Sequence, residues 1–444
     1  MRVTFIRPSI TGTRSHDAME PLVFAILAAR TPRDVELDCF DERVEPVPLD
    51  HDTDLVALTV ETYTARRAYQ IASAFRRRGV PVVMGGYHPS FVPEEALRYA
   101  DAIVVGDGEN SWEQILRDAA AGALQRVYRQ PALPALDGLT FDRGIFRGKR
   151  YKPVVPVQYG RGCRFACDFC SIHALYGTSL RQRPVAEVAD EIEALGRKFV
   201  LIIDDNLFVD AERAEALFRA LVPLKIRWGC QVSIDVAAND RLMDLMRQSG
   251  CIGALVGFES LDEVNLAQMK KWWNLKHGDY ETSIRRFHDR GIMIYGSFVF
   301  GYDHDTRDVF DTTVEFALRA KLFLVNFSAL TPTPGTKLYE RLRIEGRLIR
   351  DPWWLDPEYR YGQATYHPGA MTPNELTDGC IRARRQFYRY SSMARRALAR
   401  ANRGSASRLA IFLGANLISR RELGRKIGQR LGSNAPLEGA LEAF

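Results

Sequence analysis

The densest chemistry in this chain is a run of three cysteines. YGRGCRFACDFCSIH sets Cys163, Cys167 and Cys170 at Cys-x3-Cys-x2-Cys spacing. Thiolates are the ligands of iron–sulfur clusters. Three on one tight loop can hold three irons of a cubane and leave the fourth iron open. Gly160 and Gly162 let the backbone turn sharply as it leaves a strand. Zinc is the competing reading: it usually takes four protein ligands, and His173 stands close by to complete a set. The other cysteines, Cys39, Cys230, Cys251 and Cys380, are scattered and read as small core residues. Seven cysteines, an odd number, argue against a disulfide scaffold.

Further polar residues recur where apolar runs end. Asp204, Asp205 and Asn206 close FVLIIDDN, Ser233 and Asp235 close WGCQVSID, and Glu259 lies in GFES; FGYDHDT and TPTPGTKLY follow two later runs. Each acid alone could be a solvated turn residue. Their recurrence at one end of successive strands favours a site.

Two α/β series must position these groups. In the first, runs at 2–7, 35–42, 55–60, 81–86 and 101–109 read as strands, with helices at 21–30, 64–78 and 93–100. Continuous apolar strands between helices predict a Rossmann-like parallel sheet covered on both faces. Ligands of such sheets sit beyond the strands' carboxyl ends, here 7–9, 61–63, 85–88 and 106–109. In the second series, strands at 154–159, 199–204, 226–233, 252–259, 293–300 and 322–330 alternate with helices near 185–197, 211–222, 239–249, 277–290 and 306–320. Six such units are too few for a closed eight-fold barrel and predict a partial, TIM-like (β/α)6 barrel, open on one side to admit a bulky substrate. The expected domains are 1–125 (Rossmann-like), 126–152 (a proline- and glycine-containing linker), 153–345 (partial barrel) and 346–444 (a basic helical region).

On these residues the chain resembles the radical S-adenosylmethionine (SAM) superfamily. Cys163, Cys167 and Cys170 match its motif, with Phe169 at the aromatic position before the last cysteine. The resemblance implies a [4Fe–4S] cluster whose open iron chelates the amino and carboxylate groups of SAM. It also implies reductive cleavage of SAM to methionine and a 5′-deoxyadenosyl radical that abstracts hydrogen from an unactivated carbon. Phe169, Asp204, Asp205, Ser233 and Glu259 are the implied SAM contacts.

TVETYTARRAY, GGYHPSFVPEEAL and VVGDGE resemble the cobalamin-binding domain found before the barrel in one radical SAM subgroup, that of the anaerobic magnesium-protoporphyrin cyclase and the hopanoid methylases. Glu61, Thr62, Tyr63, Gly85, Gly86, Tyr87, His88, Gly106 and Glu109 are then the implied cobalamin contacts. One departure stands out. The usual Asp-x-His-x-x-Gly segment is absent, and the chain after its first strand reads RPSITGTRSHDA. A domain of this kind either binds cobalamin without the histidine or has kept only its structural part.

The C-terminal region mixes arginines with Phe387, Tyr388 and Tyr390. It reads as a helical cap on the open side of the barrel, as a membrane-surface element delivering a lipid-like substrate, or as a surface for an acidic partner. Trp353 and Trp354 suit either a substrate entrance or core packing. The net charge of +6 requires no nucleic-acid partner. No apolar run approaches the roughly 20 residues of a membrane span, and the N-terminus lacks signal-peptide architecture; a cytoplasmic protein is expected. The resemblance leads to cobalamin-dependent C-methylation of a small hydrophobic metabolite, methyl passing from SAM to cobalt and on to a substrate radical, with flavodoxin or ferredoxin as electron donor. Radical oxidation, cyclisation or rearrangement is the alternative chemistry, and a non-catalytic iron–sulfur or cobalamin binding protein the alternative class.

Overall fold

The computed structural model describes residues 1–12, 14–276, 278–433 and 437. The first apolar runs form β1 (Arg2–Arg7), β2 (Glu36–Asp41), β3 (Leu55–Thr59), β4 (Val82–Gly85), β5 (Ala102–Val105) and β6 (Val127–Arg129). Their order is β2-β1-β3-β4-β5-β6, with every neighbouring pair parallel. β3 is buried from Leu55 to Leu58, as a strand covered on both faces must be. On one face Phe5 stacks on Phe24 of the helix Leu22–Ala29, their centroids 5.0 Å apart. The other face packs Tyr69 and Phe75 of the helix Ala65–Arg76.

One expectation needs correction, and one open alternative is decided. β6 lies inside the stretch read as a linker: Val127 pairs with Ile103 and Arg129 with Val105, and Tyr128 turns inward. Three residues carry too little alternation to announce a strand. Trp353 and Trp354 belong to the core, not to an entrance. They pack against the first sheet's helix face, and their indole N–H groups donate to the Pro332 carbonyl (2.9 Å) and to Glu95 (2.9 Å).

The second series begins with β7 (Val155–Val157). A small antiparallel pair, β8 (Gly160–Arg161) and β9 (Arg181–Gln182), follows. Then come β10 (Phe199–Ile202), β11 (Arg227–Val232), β12 (Cys251–Glu259), β13 (Met293–Phe300) and β14 (Leu324–Ala329). The large sheet runs β14-β13-β12-β11-β10-β7, parallel throughout. β7 and β14 are its two edges, so the sheet curls without closing. Phe258, Phe298 and Phe327 make the helix-side core: Phe258 and Phe298 stack at 5.2 Å, and Phe327 meets Phe387 of the helix Pro373–Phe387 at 5.9 Å. The alternate positions Gly257, Ser297 and Asn326 stand in register across β12, β13 and β14 and face the lumen.

The C-terminal residues act first as structure. Helix Pro373–Phe387 starts with the expected capping box of Thr372 and Glu375 and runs along the free edge of β14. There the Tyr388 hydroxyl accepts from Val325 N (3.2 Å) and donates to Val325 O (2.9 Å), and Arg384 Nε donates to Phe327 O. An unpaired strand edge is thereby covered. Arg396 is wholly buried. It donates to the carbonyls of Leu322 (3.0 Å), Phe323 (2.8 Å) and Phe387 (3.1 Å) and to Asn416 Oδ1 (2.9 Å), and lies 3.8 Å from the Phe387 ring centroid. Burial without a carboxylate partner holds its pKa down to about 10. Arg396→Leu removes donors from four acceptors, of which Phe387 O and Phe323 O keep Ser392 and Asn416 while Leu322 O and Asn416 Oδ1 lose theirs, and should cost about 3 kcal/mol. Arg396→Lys should recover little, since one ammonium cannot reproduce the fork. Thermal unfolding of the two variants decides this, and a wild-type midpoint for either would contradict it.

Candidate functional site

The cysteine loop leaves the sheet after β7 and is fastened at several points. Asp204 Oδ1 accepts Tyr159 N at 2.8 Å, and Asp205 Oδ2 accepts Gly162 N at 2.8 Å. The two strand-end acids therefore turn back onto the loop backbone. Burial pushes the Asp204 carboxyl up to about 7, although the Gly160 and Tyr159 amides oppose it. Further along, Asp168 accepts from the Tyr302 hydroxyl at 2.7 Å, and its carbonyl accepts Leu338 N at 3.0 Å. Gly162 has φ +100°, and a Cβ there would sit 1.9 Å from the Ser179 carbonyl oxygen. Only glycine fits where β8 turns into the loop.

The three thiols are free. Asn206 Nδ2 lies 3.7 Å from Cys163 Sγ and 3.1 Å from Ser233 Oγ, while Asn206 Oδ1 accepts Ser233 N at 3.0 Å. Asn206 thus ties the end of β11 to the first thiol. Burial pushes the Cys167 thiol up to about 12, while the Lys271 ammonium pulls it down. Lys271 Nζ donates to Glu259 Oε1 at 2.6 Å; both side chains are buried, and Glu259 takes φ +62° at a bulge in β12. A Cβ on Gly257 would lie 2.2 Å from Glu259 Oε1 and 2.7 Å from Lys271 Nζ. The pair therefore occupies the lumen side of that glycine. Phe165 stacks on Trp273 at 3.5 Å, and Trp273 Nε1 and Asp235 Oδ1 are buried with no partner among the described residues. Phe169 is half-buried against the barrel core.

This donor set suits a cluster and SAM: free thiols on a braced loop, a buried cation beside them, and unmet polar atoms around them. Among the described residues no three His, Cys, Asp or Glu side chains converge as a single metal ion requires. A cubane needs no such convergence, because each thiolate meets its own iron. His173 Nδ1 is engaged with the Gly177 carbonyl at 3.0 Å.

Beyond the carboxyl ends of the first sheet lies a cavity of about 350 Å³. Its wall toward the first sheet is apolar, with Leu22, Leu27, Ala57, Val83, Val104 and Ile115, and its mouth carries Gly85, Gly86 and Gly106. Gly86 takes φ +108°, and a Cβ would sit 2.7 Å from the Val60 carbonyl oxygen. The opposite wall comes from the barrel: Gln158, Arg161, Tyr176 and Ile203. An apolar slot behind a glycine-lined mouth fits a flat macrocycle with an inserted tail.

Of the residues expected to meet cobalamin, Glu61, Gly85, Gly86, Tyr87, Gly106 and Glu109 line this cavity. Thr62, Tyr63 and His88 do not. His88 is fully buried, its ring nitrogens near Thr62 Oγ1 (3.3 Å), the Tyr69 hydroxyl (3.0 Å) and Glu95 Oε1 (3.1 Å). The short helix Tyr87–Phe91 rotates it into the core. Tyr63 instead hydrogen-bonds Thr331 Oγ1 across the domains at 2.9 Å. Glu109 is spent on Arg161, which pairs with it at 2.5 Å and with Asp107 at 3.0 Å. Arg181 (2.6 Å) and the Tyr176 hydroxyl (2.7 Å) complete the shell of Asp107. Burial would raise the Asp107 carboxyl, yet Arg161 and Arg181 hold it below its ordinary value.

Residues 157–317 match the model of the radical SAM superfamily, and residues 24–116 match that of the B12 binding domain. The chain thus contains a radical SAM domain. It carries its B12 binding domain ahead of the barrel, and its cofactors are a [4Fe–4S] cluster, SAM and cobalamin. This radical SAM chain is 29% identical over 389 residues to the bacteriochlorophyllide d C-12(1)-methyltransferase of Chlorobaculum tepidum, covering 85% of this chain and 84% of that one. The anaerobic magnesium-protoporphyrin IX monomethyl ester cyclase of Rubrivivax gelatinosus is 25% identical over 367 residues, with 75% and 64% covered. The fold matches that of the radical SAM methyltransferase TsrM from Kitasatospora setae with a TM-score of 0.63, at 19% identity over 79% of this chain and 77% of that one.

Sequence reasoning missed Lys271, Arg161 and Asp107, whereas Asn206 was visible in the polar run that closes its strand. Arg161 was signalled by its place between the two loop glycines; Lys271 had no local signal. Gly162→Ala should give folded protein with iron content far below wild type after anaerobic reconstitution. Wild-type iron and sulfide in that variant would show that the turn does not position the thiols.

Proposed function

We propose that this protein is a cobalamin-dependent radical SAM methyltransferase acting on an unactivated carbon of a small hydrophobic metabolite. The observation that carries the proposal is the shared cavity: residues of the B12 binding domain and of the barrel wall one space, and Arg161 on that wall lies two residues before Cys163. Cofactors bound there supply reductive cleavage of SAM and transfer of a methyl group. Cys163, Cys167 and Cys170 would hold three irons of the cluster. Asp204, Asp205 and Asn206 brace the loop that presents them, and Lys271 places a positive charge beside the thiolates. Glu259 and Ser233, at strand ends facing the loop, and Phe169 are the proposed SAM contacts. Glu61, Gly85, Gly86, Tyr87, Gly106 and Glu109 are the proposed surroundings of cobalamin. The notably apolar slot, walled off by the two domains, would keep water from reactive species.

Two of the relatives named above act by name on a bacteriochlorophyllide and on a magnesium protoporphyrin, which supports a flat hydrophobic substrate. No helix among the described residues is long and apolar enough to cross a membrane. The proposed setting is the cytosol, with electrons from a flavodoxin- or ferredoxin-type donor. Helix Ala406–Lys426 turns Leu413 and Leu417 outward, with exposed Arg420 and Arg421 one turn on. That face suits contact with an anionic membrane surface holding such a substrate.

Anaerobic turnover with reductant, SAM and hydroxocobalamin tests the assignment. A methyltransferase yields both S-adenosylhomocysteine and 5′-deoxyadenosine, radical chemistry without methyl transfer yields only the latter, and a binding protein yields neither. Cys167→Ala should lose the cluster's absorbance and both products together; retention of either product would sink the ligand assignment. Ala57→Phe fills the slot behind β3 and should lower cobalamin retained on gel filtration while leaving iron unchanged. Equal cobalamin in variant and wild type would place the cofactor elsewhere.

A further inference from the structure

A second cavity, of about 220 Å³, lies where the open edge of the barrel meets the C-terminal helices. Tyr295 and Asn326 reach it from the lumen face of β13 and β14. Tyr361, Tyr388 and Arg384 close it from outside the sheet. Tyr63 of the B12 binding domain packs on Tyr361, with ring centroids 5.4 Å apart.

Charge in this chamber is unevenly satisfied. Lys426 pairs with Asp17 (3.0 Å) and Glu422 (3.3 Å), so one ammonium holds two carboxylates and that cluster keeps a net negative charge. Arg384 has no such partner. Its Nε donates to Phe327 O, and among the described residues no carboxylate lies within ion-pair distance of its guanidinium. Neither terminal nitrogen is buried without a partner, so both face accessible space. A half-buried guanidinium fork with two free N–H edges is the group that takes a carboxylate in a bidentate grip.

The chamber and the reaction site share the lumen face of the sheet. Asn326 stands in register with Ser297, and Ser297 with Gly257, over which the Glu259–Lys271 pair sits beside the cysteine loop. Two strand spacings, roughly 10 Å, separate Asn326 from Gly257. A molecule held at Arg384 can therefore reach the cluster side of the lumen if its body is longer than one ring.

We propose that Arg384 is the anchor for a substrate carboxylate, and that the substrate is a flat hydrophobic acid whose ring system lies among Tyr63, Tyr295, Tyr361 and Tyr388. This rests on the methyltransferase reading above and names its substrate class. Tyrosine faces supply rigid apolar area with polar rims, and Arg384 supplies direction: the carboxylate points to the open edge and the far end points to the thiols.

Binding of 1-pyrenebutyric acid and of its neutral methyl ester to the full-length, cluster- and cobalamin-loaded protein, followed by pyrene fluorescence, tests the anchor. Wild type should bind the acid roughly ten- to a hundredfold more tightly than the ester, the worth of one charge-assisted pair. Arg384→Gln should erase that preference, leaving the ester's affinity where it was, and Arg384→Lys should restore part of it. Equal binding of acid and ester by wild type, or an undiminished preference in Arg384→Gln, overturns the proposal. Asn326→Phe, at an exposed lumen position, guards against misfolding of the arginine variants. It should weaken both probes, and unchanged binding of both would show that the chamber is not the site. Wild-type cleavage of SAM without any probe is scored separately. A protein that makes both SAM products yet ignores the carboxylate loses only the anchor, whereas one that makes neither loses the methyltransferase reading.

Discussion

The molecule is organised around the buried ion pairs of Arg161. Arginine and both acids, Asp107 and Glu109, are less than a tenth exposed at the side chain. Removing three charges from water costs several kcal/mol each, and only close geometry with further hydrogen bonds offsets it. Arg181 and Tyr176 supply those bonds on Asp107. An apolar contact of equal size would hold two domains together as well, but without fixing their register. The charged arrangement fixes it at a particular place. Asp107 and Glu109 follow β5 at the mouth of the B12 binding sheet, and Arg161 is followed directly by Gly162 and Cys163. The distance between the mouth of one cofactor site and the ligands of the other is thus set by a few side chains of short reach.

The open barrel imposes the second constraint. A parallel sheet that does not close leaves β14 with unpaired groups. Val325 and Phe327 present them outward, and Tyr388 and Arg384 answer them. The same helix that protects the edge therefore brings a phenol and a guanidinium to the rim of the lumen. Arg396 fixes the following helices against the start of β14 without any acid. Arg384 and Arg396 are thus explained in part by carbonyls at a strand edge and strand start that need donors, before any external partner is considered.

How legible this was from the sequence depends on range. Alternation and apolar runs announced the long strands in both sheets, and the thiol spacing announced the cluster loop. β6, with three residues, and the β8–β9 pair, with two each, carry too little pattern to be seen. Strand-end acids were visible as positions, but position does not say where a carboxylate points. Asp204 and Asp205 turn inward to hold amides of the loop. Glu259 is aimed by a positive φ at a bulge that no spacing reveals. His88 follows a glycine pair at a strand end, yet one short helix rotates it away from the cavity. Arg161 and Asp107 stand far apart in the chain, and their pairing exists only once both sheets are built.

The segment after β1 shows how one loop can change its work. In place of a histidine motif the chain has Ser15, His16 and Asp17, and all three turn to the C-terminal helix. Ser15 Oγ donates to Glu422 (3.1 Å), His16 Nδ1 lies near Glu422 (3.0 Å) and Arg425 (2.7 Å), and Asp17 pairs with Lys426 (3.0 Å). No histidine among the described residues lines the cavity beyond the first sheet. This loop would therefore offer a bound corrin no imidazole. Asp17, Glu422 and Lys426 instead form part of the wall of the chamber at the barrel's edge. Lys426 holds both carboxylates on its own side of that wall, so neither pairs with Arg384. The loop after β1 is thus tied to the C-terminal helix, and its side chains stand at the barrel's edge and not at the cavity beyond the first sheet.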